Sequence, residues 1–334
     1  MTSAPLPHLA SASVSPGAAR AGFSRAAGWV LVYTVFVILF GAVVRITGSG
    51  AGCGQHWPTC QGEIVHLPTR LATWIELSHR VTSGLSALVV FALTGFAFRR
   101  FPSAHAVRRA AVIATAMMIV EALIGAVLVR LALVAGNTSA ARAIVMPLHL
   151  ISTSILTAAL ALCWWWSRAA VPLPSSPITG ASAVSAKASP RAARWVALAA
   201  LGVLVVSAAG AVTALGDTVY PVRAAPLAER LSHDQHASAH FLERLRVLHP
   251  LLAVLLAAAL FVGVGKLLEA PVTEATRRLT RAVAWLTGLQ VAAGGLNVML
   301  SAPGWLQVLH LLIGTGLWLG LILLVSELYA PSAA

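Results

Sequence analysis

Long apolar stretches alternate along the chain with short polar breaks rich in glycine, proline or arginine. A transmembrane helix needs roughly 20 mostly apolar residues. Eight stretches qualify, at about 26–46, 74–98, 110–133, 144–166, 195–215, 245–265, 282–300 and 306–327. The first is too long, and starts too late, for a cleaved signal peptide, and no small-residue cleavage site follows it. An Ala/Ser/Pro-rich leader over residues 1–25 reads as a disordered tail. A second such stretch makes 171–194 a linker between two halves, 26–170 and 195–334. The pattern predicts an all-α polytopic membrane protein, with eight transmembrane helices in two pseudo-symmetric four-helix bundles.

Composition agrees. Of 334 residues, 58% are hydrophobic and 10% charged, against about 25% charged in soluble chains. Disorder is excluded by the same numbers, and a disulfide-dense scaffold by a cysteine count of 3. The net charge of +13 raises nucleic acid as a partner until the charges are placed. Of the 23 basic residues, 14 fall in the leader, the linker and the connections between spans two and three and spans six and seven. The positive-inside rule puts these segments, and both termini, in the cytoplasm. Loops 47–73, 134–143, 216–244 and 301–305 then face outward, from the inner membrane if the cell is bacterial. The charge reports topology, and no nucleic-acid partner is expected.

The two halves repeat. Gly41-Ala42-Val43 in span one recurs 169 positions later as Gly210-Ala211-Val212, and Gly125 in span three as Gly294 in span seven. His79 in span two matches His249 in span six, and His149 in span four matches His310 in span eight. Each half crosses the membrane an even number of times, so the repeat is parallel.

Histidine inside a span is costly and points to function. Each of the four lies four or five residues inside the outward end of its apolar stretch, roughly 6–8 Å deep. Two per four-helix unit is the number that ligates one haem iron from both faces. The alternative is four interfacial histidines bonded to neighbouring helices. Zinc or copper fits less well, because neither half has a third His or Cys at that depth. His233, His236 and His240 form a histidine-rich run in the outward loop 216–244, either a chelating group or simply a solvated loop.

The halves differ chemically. Glu76 stands one turn before His79, whereas Arg246 holds the matching place before His249. A partly buried glutamate there is a candidate proton acceptor or cation stabiliser; an ion pair with Arg80 or Arg70 is the alternative. Arg45 and Arg130, at the level of the histidines, are candidate partners of haem propionates, as are Arg80 and Arg246; snorkelling to the interface is the alternative. Cys53 and Cys60 lie in the first outward loop, where an oxidising compartment permits a disulfide. Their spacing is not that of covalent haem attachment. Cys163 reads as a buried packing residue.

Taken together, Gly41-Ala-Val-Val-Arg45-Ile-Thr-Gly-Ser-Gly50, Cys53 to Cys60 enclosing Trp57-Pro58, and Glu76-Leu-Ser-His79-Arg80 resemble the haem A synthases. Leu148-His149, Arg246-Val-Leu-His249-Pro250 and Leu309-His310 match as well, so the resemblance runs over about 26–327. It implies oxidation of the C8 methyl group of haem O by two hydroxylations, through haem I, to the formyl group of haem A. It also implies that His249 and His310 hold a haem b and that His79 and His149 embrace the substrate haem. Glu76 carries over as a catalytic residue, and Cys53 with Cys60 as a disulfide. The implied partners are haem O, the farnesyltransferase that makes it, an electron-transfer partner, membrane lipid and a second copy of the chain in a homo-oligomer. Two other readings are a di-haem b-type cytochrome serving quinone-linked electron transfer and a non-enzymatic haem carrier. The one-sided Glu76 and cysteine pair favour the enzyme.

Overall fold

A computed structural model describes residues 16–168, 189–222 and 225–329. In chain order its α-helices are α1 (Pro16–Ile46), α2 (Leu71–Arg100), α3 (Ala106–Arg130), α4 (Ala140–Arg168), α5 (Pro190–Val219), α6 (Leu227–Asp234), α7 (Phe241–Arg244), α8 (Leu248–Glu269), α9 (Glu274–Met299) and α10 (Gly304–Tyr329). Helix α7 runs on through a 3-10 turn into α8. Among the described residues, eight helical segments are long and apolar enough to cross a membrane, in agreement with the eight predicted spans.

Three boundaries differ from the sequence expectation. Residues 16–25 of the expected tail are the first turns of α1. There Phe23 and Ala27, four apart on one helix face, are fully buried, and Phe23 meets Phe101 at 5.0 Å. The linker ends earlier than 194. Ser189 accepts from the Ala192 N–H at 3.2 Å and Pro190 occupies the first turn, so α5 starts there. Residues 1–15 of the expected leader and 169–188, with most of the expected linker, lie outside the described residues. The outward loop 216–244 is largely helical, because α5 continues to Val219 and α6 and α7 follow.

Each half has its own apolar core. Val90, Leu93, Val107, Leu156 and Leu160 pack with Phe23 among α1–α4. Val196, Leu260, Val283, Leu321 and Leu324 pack among α5, α8, α9 and α10. Large apolar side chains also cover the outside, Trp29, Leu88, Val254 and Trp285 among them, as a lipid-facing surface requires. Several hydroxyls inside the spans donate back to their own helices, for example Thr34 to Val30 O at 2.8 Å and Ser83 to His79 O at 2.7 Å. In the connection before α3, His105 caps the helix by accepting from the Val107 N–H. Burial, and after it the Arg20 charge, hold its pKa below the ordinary histidine value.

The halves meet along α4 and α5, α4 and α10, and α1 and α10. At one end Trp165 donates to Glu327 Oε1 at 2.9 Å and Trp166 to Ser326 Oγ at 2.8 Å. Farther along, Trp318 donates to Ser154 O at 2.8 Å. At the other end, beside the histidines, Arg45 crosses from α1 to the second half.

Candidate functional site

All four span histidines come to the same end of the bundle. His79 is the ninth residue of α2, His149 the tenth of α4 and His310 the seventh of α10. His249 is the ninth residue of the helical run Phe241–Glu269. The helices overrun their apolar stretches, so the rings sit about 9–14 Å from the helix ends at 1.5 Å per residue.

In the second half, His249 and His310 face each other with ring centroids 6.2 Å apart and planes at 87°. His249 Nδ1 donates to Val206 O at 3.0 Å, which fixes the ring and leaves Nε2 for another partner. Gln290 Nε2 lies 3.1 Å from His310 Nε2, and the buried His310 Nδ1 has no protein partner. Both rings rest on glycine. A Cβ at Gly210 would lie 2.9 Å from His249 Cε1, and one at Gly294 would lie 3.2 Å from His310 Cε1.

The first half repeats this only in part. His79 packs on Gly41, where a Cβ would approach to 3.2 Å, and edge-on to Phe40 at 5.5 Å. Its buried Nδ1 has no protein partner. His149 does not rest on its own glycine, since nothing lies within 4 Å of a Cβ at Gly125. Instead its Nδ1 lies 3.0 Å from Glu121 Oε2, close enough for an ion pair though not aligned as a hydrogen bond. Glu121 also accepts from Ser152 Oγ, and from Thr153 Oγ1 at 2.7 Å. Pro147 stands two residues before His149 inside α4, where it cannot donate to the preceding turn.

Glu76 is buried, and both its oxygens are engaged. Oε2 accepts from the Cys53 backbone N–H at 2.7 Å, and Oε1 accepts from Arg80 Nε at 3.1 Å and from Arg80 Nη2. Arg80 also donates to His56 O and Thr59 O at 2.5 and 2.6 Å. These acceptors lie in the loop that the Cys53–Cys60 disulfide closes. Gly52 sits so close to α2 that a Cβ would lie 2.5 Å from Ala72 O, so only glycine lets the loop settle there. Cys163 is a buried free thiol, as expected.

Each of the four candidate propionate partners is engaged by protein groups. Arg45 donates to Ala214 O at 2.7 Å, Thr218 Oγ1 at 2.5 Å and Gln307 Oε1 at 2.9 Å. Arg130 reaches Trp57 O at 3.1 Å. Arg246 pairs with Asp217 and Asp234, each at 3.0 Å, and donates to Tyr220 O. Arg80 is held by Glu76 and the disulfide loop. The histidine-rich run does not converge: His236 bonds Ser238 at 2.8 Å and His240 caps α7. His233 gathers instead with Asp234 and Glu243, their ligand atoms within 4.8 Å of one another. Both carboxylates already have partners, Asp234 in Arg246 and Glu243 in the His240 N–H at 2.9 Å. Sequence reasoning missed Glu121, Gln290 and Asp217. The first two stand 169 positions apart, the same interval as the glycine repeat.

A haem fits the second-half residues. Two imidazoles in line on one metal, with bonds of about 2 Å, place their centroids about 6.4 Å apart, close to the 6.2 Å seen. The unpartnered His310 Nδ1 and the glycine-backed rings agree with that fit.

The model of the cytochrome oxidase assembly protein family, COX15-CtaA, matches residues 25–322. The chain belongs to this family. It is 44% identical over 311 residues to a Thermus thermophilus protein named Protoheme IX farnesyltransferase, a match covering 91% of this chain and 48% of that protein. It is 37% identical over 128 residues to the Heme A synthase of Bacillus cereus (strain AH187), covering 37% of this chain and 40% of that one. The chain spans about half the length, or less, of these curated relatives. All the histidines, arginines and carboxylates of the candidate site lie within the matched family region.

Proposed function

We propose that this family member is a haem A synthase, oxidising the C8 methyl group of haem O through an alcohol, haem I, to a geminal diol that loses water to give the formyl group of haem A. The carrying observation is the His249–His310 pair, facing across 6.2 Å, with His79 and His149 at the matching sequence positions of the other half. The Bacillus relatives named Heme A synthase support the reading. With water as the oxygen source, each hydroxylation releases two electrons and two protons and adds one oxygen atom to the methyl carbon.

The residues divide the work as follows. His79 and His149 hold the substrate haem and so place its methyl group. Glu76 assists proton removal there, or stabilises the cation developing on the carbon. Arg80 and the Cys53 N–H orient the Glu76 carboxylate, and the disulfide loop above it limits access of bulk water. His249 and His310 hold a haem b, which supplies an electron relay to a separate redox partner. With 14 of the 23 basic residues in the leader, linker and alternate connections, both termini lie in the cytoplasm and the haem sites near the outer face of a bacterial inner membrane. Haem O comes from a farnesyltransferase. The name of the Thermus relative, which this chain matches over 48% of its length, supports that partnership.

The test is expression with a source of haem O, followed by haem extraction, chromatography and mass spectrometry. Haem I and haem A are expected. A folded, haem-loaded protein that yields neither overturns the proposal and leaves electron transfer or haem carriage.

A further inference from the structure

The repeat places different chemistry behind two equivalent histidines. Gln290 stands 169 positions after Glu121, and each touches the span histidine of the neighbouring helix: Glu121 meets His149 at Nδ1, and Gln290 meets His310 at Nε2. The surroundings change with them. Ser152 and Thr153 give their hydroxyls to Glu121, and at the interval that relates His149 to His310 their counterparts are Ile313 and Gly314. A Cβ at Gly314 would lie 3.0 Å from Gln290 Nε2. The second half therefore offers room to an amide, where the first half builds a cradle of hydroxyl donors around a carboxylate. Glu121 is mostly buried, its side chain 13% exposed, and such a carboxylate needs donors of this kind.

We propose that Glu121 is the positioning residue of the first-half haem site, holding the His149 ring by Nδ1 and making it a stronger electron donor than its amide-backed counterpart His310. Carboxylate behind imidazole orients a metal ligand and raises its basicity. A more basic axial ligand favours the ferric state, which lowers the reduction potential. Glu121 thus separates two sites that share one repeated plan: a carboxylate-backed site that holds the haem to be oxidised, and an amide-backed site beside it. The inference rests on the reading of both histidine pairs as haem sites.

The experiment uses the full chain loaded with protohaem and titrated potentiometrically by its α-band absorbance. The variants are Glu121→Gln, Gln290→Glu and Glu121→Ala. Glu121→Gln should move one haem transition to more positive potential and leave the other in place. Gln290→Glu should move the other transition to more negative potential. Glu121→Ala should weaken first-half haem binding by about 10-fold or more, in the range of lost outer-shell partners. The second-half haem spectrum reports folding in every variant. If Glu121→Gln leaves both transitions unmoved, or shifts the one that Gln290→Glu shifts, the inference fails while the haem sites stand. If wild-type protein shows only one transition, which Gln290→Glu moves, the first-half haem reading fails and the inference falls with it.

Discussion

Arg45 of α1 donates through Nη2 to Gln307 Oε1 of α10 at 2.9 Å, across the boundary between the halves. Arg45 stands one turn beyond Gly41, which backs His79, and Gln307 stands one turn before His310. The same guanidinium holds Ala214 O and Thr218 Oγ1 on α5. One side chain therefore ties together the histidine ends of both bundles. Replacing it with methionine removes three charge-assisted hydrogen bonds, although Ala214 O still accepts from Thr218 Oγ1, and hydrogen bonds to charged groups are worth about 1.5–3 kcal/mol each in net terms. Arg45→Met should lower the thermal unfolding midpoint in detergent by several degrees, with Arg45→Lys recovering part. An unchanged midpoint for Arg45→Met would show that the contact does not couple the halves.

Glu76 tests chemistry and structure separately. Removing a buried partner of an ion pair costs about 3–5 kcal/mol, whereas an isosteric amide keeps most of the packing. Glu76→Gln should retain the acceptor for Cys53 N–H, keep the second-half haem and abolish haem A and haem I in extracts. Wild-type amounts of product from this variant would remove Glu76 from the reaction.

The glycines give a paired prediction. A methyl group at Gly210 meets the His249 ring at 2.9 Å, while one at Gly125 meets nothing within 4 Å. Gly210→Ala should displace the ring and reduce second-half haem occupancy, as His249→Ala should abolish it. Gly125→Ala should leave haem content unchanged and, by helix propensity, stabilise α3 by up to about 1 kcal/mol. Haem-to-protein ratios from absorbance check both, and equal effects of the two alanines would refute the close approach.

Opening the Cys53–Cys60 loop should act locally. Chain entropy assigns a loop this short about 2.5 kcal/mol. Arg80 still holds His56 O and Thr59 O, and Arg130 still holds Trp57 O. The double serine variant should therefore keep its helix content and second-half haem, with faster proteolysis confined to residues 47–70. Loss of the whole fold on reduction would contradict this.

The sequence alone determined the number of spans, the two-fold repeat and the four histidines. Apolar length, glycine spacing and costly intramembrane polar groups are properties of the linear chain. Helix boundaries were less legible. Phe23 and Ala27 extend α1 into the expected tail because they find a buried face there, and α6 and α7 form where only a loop was read. The partners of the arginines and carboxylates were hidden. Glu76 chooses Arg80, as one reading anticipated, but also the Cys53 N–H. Arg45 reaches the other half, and Glu121 meets His149 across 28 positions of sequence. Only the tertiary structure decided these pairings. A side chain declares its chemistry in the sequence, but which polar group shares its low-dielectric pocket depends on how helices distant in the chain are packed together.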